Sequence, residues 1–136
     1  MVMLAGLLLA MAMQSAPAAE TVSRDMMSNV EEPKQVAAQT DAEWAALWKL
    51  HAGDKAAPKV DLKTRTVVAV FLGTRTSAGH SVEITATHSK NGVLIVDWEE
   101  RRPAPGTVSA QVITSPAVIA TIPKFSGEIR FQKVER

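Results

Sequence analysis

The feature that most constrains the fold is an unbroken apolar run over residues 66–72, Thr-Val-Val-Ala-Val-Phe-Leu. Its length and its β-branched valines favour a strand over a helix. Apolar and polar positions do not alternate along it, so neither face of the strand suits contact with water. The run therefore predicts a central strand that is covered on both faces.

Six further segments carry strand signals and are separated by turn residues. They are Glu20–Met26, Lys34–Ala38, His80–His88, Val93–Glu100, Ala117–Ile122 and Glu128–Val134. The third and fourth alternate between apolar and polar positions, which indicates strands with one buried face. The pattern predicts a mainly antiparallel sheet protein.

The turn between the third and fourth of these segments sets their register. A two-residue Asn91-Gly92 turn would pair Ala86 with Asp97, which sets an apolar side chain against a polar one. A three-residue loop with a left-handed Gly92 would pair Ala86 with Val96 and also Ile84 with Trp98. Matching the apolar faces favours the three-residue loop. In that register Val82 pairs with Glu100, so His80 lies opposite Arg102.

A capping box predicts one helix over residues 41–52. The Thr40 hydroxyl can accept from the Glu43 amide, and the Glu43 side chain can reach back to the Thr40 amide. Helical spacing then places four side chains in one stripe: Trp44, Leu47, Trp48 and His51. Gly53 suits the helix end. At this spacing both tryptophans are predicted to be core, and His51 to complement the helix dipole.

Together these elements predict an α+β fold, a sandwich-like, mainly antiparallel β sheet with one helix packed on it. Residues 20–136 have the length and composition of a single β-rich domain.

The first residues have the pattern of an export signal. Residues 1–13 are almost wholly apolar, and Ala16-Pro17-Ala18 followed by Ala19 fits a signal peptidase site. The apolar run is short for a membrane span. We therefore expect a signal peptide over residues 1–19, a periplasmic or secreted bacterial protein, and no stable membrane anchor after cleavage. An uncleaved anchor is the alternative, since no Lys or Arg precedes the apolar run.

Composition and motif spacing exclude several classes of function. The chain has no cysteine, which removes disulfides, thiol nucleophiles and thiolate metal sites. Its formal net charge is +1 and its basic residues are scattered, which is unlike a nucleic-acid-binding protein. His80 and His88 lie at opposite ends of one predicted strand, too far apart to share a metal. No nucleophile elbow or phosphate loop occurs. We expect no enzymatic activity, no metal and no cofactor.

Two connecting loops are the candidate binding regions, since binding residues concentrate in loops on a rigid scaffold. One runs from Gly73 to Gly79 and the other from Arg101 to Gly106. The candidate binding residues are Arg75, Ser77, Gly79, His80, Arg101 and Arg102. The predicted register brings the Arg residues to one end of the sheet, where they could contact a partner carboxylate. The alternative is that both loops are only turns.

Seven short segments, in order along the chain, carry a resemblance to a known family. They are Ser28–Pro33, Glu43–Trp48, Val67–Arg75, Ser81–Ile84, Pro103–Gly106, Thr114–Pro116 and Ile122–Lys124. Together they resemble the PrcB C-terminal domain family, also called protease complex subunit PrcB or protease stability complex PrcB-like proteins. The family's central loop resembles Arg-Pro-Thr-Gly-Gly-Tyr, where this chain has Arg-Thr-Ser-Ala-Gly-His over residues 75–80.

The resemblance implies a protein partner, a secreted or periplasmic protease, and an accessory or stabilising role without catalysis. The founding member is similar to a lipoprotein, but the absence of a lipobox cysteine means that lipid tethering is not expected here. A second reading of the same loops is a peptidase inhibitor, because their pattern is distantly similar to chagasin-type cysteine protease inhibitors.

Overall fold

The computed structural model describes residues 19–135, so nearly all of the expected signal peptide lies outside the described residues. Along the described chain the elements are β1 (Glu20–Asp25), β2 (Lys34–Ala38), α1 (Asp41–Ala52), β3 (Arg65–Phe71), β4 (Ser81–Lys90), β5 (Val93–Arg101), β6 (Ala117–Pro123) and β7 (Ile129–Lys133). Each predicted strand and the predicted helix are present, with ends that differ by two residues at most.

The strands form two sheets. The first has the order β1-β6-β3-β2, and all of its neighbours are antiparallel. The second has the order β4-β5-β7, with β4 antiparallel and β7 parallel to β5. With α1 packed on the first sheet, the predicted α+β, mainly antiparallel sandwich is confirmed.

Strand β3 lies inside the first sheet and is buried on both faces, as its sequence predicts. Val67, Ala69 and Phe71 pack in one cluster with helix residues. Val68 and Val70 point the other way and pack against residues of the second sheet. The molecule therefore has three layers: the helix, the four-stranded sheet and the three-stranded sheet. Strand β3 lies inside the middle layer.

The helix begins and ends where the sequence predicts. Thr40 Oγ1 accepts from the Glu43 amide at 3.2 Å, but the Glu43 carboxylate accepts from the amide of Gln39 rather than from that of Thr40. The Gly53 amide donates to the Lys49 carbonyl and ends the helix with a positive φ of 64°. Trp44 and Leu47 are buried in the core, whereas Trp48 is only half-buried at its edge.

The predicted three-residue loop between β4 and β5 is wrong. Lys90 pairs with Val93, and the turn consists of Asn91 and Gly92, with φ angles of 54° and 79°. These left-handed angles are those of the tight hairpin turn that Asn-Gly favours.

Between the turn and a bulge at Thr85, Ala86 pairs with Asp97, so its predicted pairing with Val96 is wrong; the bulge realigns the apolar faces farther from the turn. The register shifts by one between Ile84 and Ala86. Beyond the bulge, Ile84 pairs with Trp98 and Val82 with Glu100, as the apolar matching predicts. The extra residue also reverses the alternation of side chains between the two faces of β4.

Candidate binding surface at the loop end of the sandwich

The two candidate loops are joined into one surface. We define the first loop as residues 72–80, between β3 and β4, and the second loop as residues 102–116, between β5 and β6. Arg75 and Thr114 exchange backbone hydrogen bonds of 2.8 and 2.9 Å, and the Ala78 amide donates to the Ala110 carbonyl at 3.0 Å. The Thr114 hydroxyl also donates to the carbonyl of Ser77, a predicted site residue. The loops thus support each other over most of their length.

Gly79 is where the loops come closest. A Cβ atom at this position would lie 2.2 Å from Pro103 Cγ and 2.7 Å from Ser109 Oγ. Distances this short are not compatible with non-bonded contact. Of the predicted site residues, Gly79 therefore has a packing role that requires the absence of a side chain.

A buried carboxylate anchors the first loop to β5. The Glu100 side chain is 3% exposed, and it accepts from Arg75 Nε at 2.8 Å and from Arg75 Nη2 at 3.0 Å. His80 Nδ1 lies 2.9 Å from the same carboxylate. Glu100 is not among the site residues predicted from the sequence. The signal that could have found it was the predicted pairing with Val82, which puts Glu100 on the buried Trp98 face of β5.

The electrostatics of this cluster are dominated by Arg75. Its hydrogen bonds lower the pKa of Glu100 from the ordinary 4.5 to about 2, against the opposing effect of burial. The same hydrogen bond raises the pKa of Arg75. Arg75 Nη1 also donates to the carbonyls of Leu72 and Thr74. The Arg75 guanidinium is thus bound within the chain at each of its nitrogens, and it fixes the shape of the first loop.

The remaining predicted Arg residues diverge. Arg101 Nη2 lies 2.8 Å from Glu83, a residue on the outer face of the β4–β5 hairpin. Arg102 Nε is 4.0 Å from Glu100, and its side chain is 66% exposed. Lys133 of β7 joins the cluster with its Nζ 3.8 Å from Glu100 and 5.6 Å from the centre of the Trp98 ring. Lys133 was missed because the parallel pairing of β7 with β5 has no local sequence signal.

The second loop exposes large apolar side chains to solvent. Val108 is 96% and Ile113 is 68% exposed, and Val112 is also exposed. Apolar side chains concentrated on one exposed loop are typical of a surface that contacts a partner.

A second polar cluster lies where the β1–β2 connection meets the end of α1. Ser28 Oγ is 2.8 Å from His51 Nδ1, and Asp25 Oδ2 is 4.0 Å from His51 Nε2. Ser28 Oγ also accepts from the Val30 amide, and both Ser28 and His51 are buried. Burial lowers the pKa of His51. These residue types resemble a hydrolase triad. The Ser28 hydroxyl, however, is buried and accepts a hydrogen bond within its own turn. The cluster therefore attaches the β1–β2 connection to the end of α1.

Among the residues described, no group of three or more His, Cys, Asp or Glu side chains could hold a metal ion. No helix in the described part of the chain is long and apolar enough to cross a membrane.

Comparison with known families gives one match. The family model described as PrcB C-terminal matches residues 66–123. Over these residues the chain is similar to the PrcB C-terminal family. This confirms the resemblance found in the sequence, and the PrcB match runs from β3 to the end of β6, so it includes Glu100 and both loops. No match was found among the curated proteins or among the solved structures.

Proposed function

We propose that this protein is an exported, non-enzymatic binding module that acts as an accessory or stabilising partner of a secreted or periplasmic protease. The family match supports association with a protease complex. The observation that carries the proposal is that the matched span contains two mutually braced loops, one of which exposes Val108 and Ile113. A braced loop loses little conformational freedom on binding, which favours recognition.

The proposal includes export of the chain. The signal peptide over residues 1–19 would direct it to the periplasm or the medium, where the protease would be met. Binding to another protein, rather than to nucleic acid or membrane, agrees with the scattered charges and the near-zero net charge.

The test is capture of a protease by the mature chain, residues 20–136, from the periplasmic extract of its own source. The variant Val108→Ser with Ile113→Ser should capture at least about tenfold less protease, because it removes exposed apolar contacts. Leu50→Ser is the matched control, since Leu50 is 54% exposed on α1 and lies outside the loops. Both variants should melt at the wild-type temperature. Equal capture by all three proteins would contradict the role of the loops.

The activity of the captured protease separates an accessory subunit from a peptidase inhibitor. An accessory subunit should leave the catalytic rate unchanged and lengthen the half-life of the enzyme at elevated temperature. Loss of activity in the complex, restored by the Val108→Ser and Ile113→Ser variant, would instead indicate a chagasin-like inhibitor that inserts the second loop.

A further inference from the structure

A hollow of about 600 Å³ opens beside the buried carboxylate at the loop end. Its walls include Arg102, Pro103 and Pro105 from the start of the second loop, and Lys133 from β7. Glu100 forms part of its floor, and Glu135 also contributes to the lining. The hollow combines cationic groups with rigid apolar rings, and it is open to solvent.

The charges around the hollow do not balance. Arg75, Arg102 and Lys133 all lie within 4.0 Å of Glu100, so three full positive charges surround one negative charge. Glu135 reduces this surplus without removing it, since it brings one further negative charge. The result is a local positive potential at the mouth of a concave surface.

Arg102 and Lys133 do not form hydrogen bonds with Glu100. Its oxygens already accept from Arg75 and lie close to His80. Arg102 Nε and Lys133 Nζ are 4.0 and 3.8 Å away, beyond hydrogen-bond distance. Arg102 keeps its guanidinium exposed at the rim. These donors can therefore be shared with a second acceptor that enters from solvent.

We infer that this hollow is a binding site for a carboxylate of a polypeptide partner, held between Arg102 and Lys133. The planar fork of an arginine matches the two oxygens of a carboxylate, and a lysine adds a point charge from the other side. Pro103 and Pro105 provide an apolar wall for the chain that carries the carboxylate. The inference rests on the proposed function only in taking a protein as the source of this group.

The carboxylate could be a chain terminus or an acidic side chain, and three short peptides distinguish them. The first is acetyl-Ala-Leu-Ala with a free terminal carboxylate. The second is acetyl-Ala-Glu-Ala-amide, whose only carboxylate is on the side chain, and the third is acetyl-Ala-Gln-Ala-amide, which has none. Each is titrated to about 10 mM into the ¹⁵N-labelled mature chain, since a single such contact gives millimolar affinity.

A carboxylate peptide should shift the Arg102 side-chain Nε–H signal and the Lys133 amide, and the neutral peptide should not. Whichever carboxylate peptide binds more tightly identifies the source. Arg102→Gln and Lys133→Gln should each weaken its binding at least fivefold, and added salt should weaken it further. Lys90→Gln at the hairpin tip is the matched control and should bind as the wild type does.

The inference is overturned if the three peptides bind alike, if none binds, or if the Arg102 and Lys133 variants bind as tightly as the control. The titration needs no protease, so its failure is separate from a failure of protease capture. Dispersed spectra of each variant show that the fold is kept, and Arg102→Gln alone decides the matter if Lys133→Gln unfolds.

Discussion

At the scale of single residues, the decisive feature is a carboxylate that is buried and still ionised. Glu100 lies at the end of β5 with its side chain almost fully buried, where an unpaired charge would be very costly. Two parallel hydrogen bonds from Arg75 make this position possible. Arg75 and Glu100 therefore act as a pair, so a substitution of either residue alters the environment of the other.

The first prediction is that Arg75 and Glu100 are strongly coupled. Arg75→Met leaves Glu100 buried without its main partner and should lower the free energy of unfolding by about 3–5 kcal/mol. The double variant Arg75→Met with Glu100→Gln should be more stable than the sum of the single losses implies. Urea denaturation of the four proteins measures this. Additive losses would show that the pair does not interact energetically.

The second prediction concerns acid stability. The folded pKa of Glu100, about 2, lies below its ordinary value of 4.5, so the folded state favours the ionised form. This stabilisation is present above the ordinary pKa and is lost as the pH falls from about 4.5 to about 2. The loss should be on the order of 3 kcal/mol.

Unfolding free energies at several acidic pH values provide the measurement. Glu100→Gln should lack this part of the acid loss, whereas Glu128→Gln, which alters an exposed carboxylate, should retain it. An identical pH dependence in wild type and Glu100→Gln would contradict the assignment.

At the scale of elements, packing is divided between α1 and the two loops. The helix packs on the first sheet through Trp44, which shares a buried cluster with Phe71 of β3, and Trp44 Nε1 donates to the Pro58 carbonyl in the loop after the helix. The loops hold each other at Gly79 and through the backbone of Arg75 and Thr114. The packing of Trp44 and the close approach at Gly79 each depend on one side-chain position, so single substitutions test them.

The third prediction separates the two tryptophans. Trp44→Ala removes a buried ring and should cost about 3–5 kcal/mol. Trp48 is half-buried, so Trp48→Ala should cost less, about 1–2 kcal/mol. Urea denaturation measures both losses. Equal losses would mean that Trp48 contributes as much to the core as Trp44.

The fourth prediction is that Gly79→Ala separates the loops. The added methyl group meets Pro103 and Ser109, and the strain should cost about 1–3 kcal/mol. Pro103→Ala removes the closest atom, so adding it should restore part of the stability. Thermal melting of the single and double variants tests this, and an unchanged melting temperature for Gly79→Ala would show that the loops adjust freely.

At the scale of the whole molecule, the layers leave one end built from both loops and from β7. This end unites chain segments that are far apart in sequence, since Arg75, Glu100 and Lys133 come from three different parts of the chain. The proposed partner surface and the carboxylate site both lie here.

The fifth prediction concerns the exported form. Cleavage after Ala18 or Ala19 should release a chain that begins at Ala19 or Glu20, because the small residues before these positions suit signal peptidase. The intact mass of the exported protein measures it. Recovery of the full-length chain in the membrane fraction would favour an uncleaved anchor.

The sequence by itself determined the elements and the pairing of β4 with β5. The run in β3 could only be a central strand, and Thr40, Glu43 and Gly53 marked the helix ends, because such signals act over a few neighbouring residues. The pairing of Ile84 with Trp98 followed from matching apolar faces. The end of the sheet that holds Arg75, His80 and Arg102 could also be predicted from that register.

Only the tertiary structure decided what depends on distant parts of the chain. The Thr85 bulge reconciles a tight turn with a fixed core face, and a sequence pattern alone cannot show where an extra residue is absorbed. The parallel β7 brings Lys133 beside Glu100 through a long-range pairing that no local signal encodes. The tertiary structure also decided that Arg75 binds Glu100 and not a partner. The Glu100 carboxylate is buried, and a buried charge must be paired with an opposite charge within the fold.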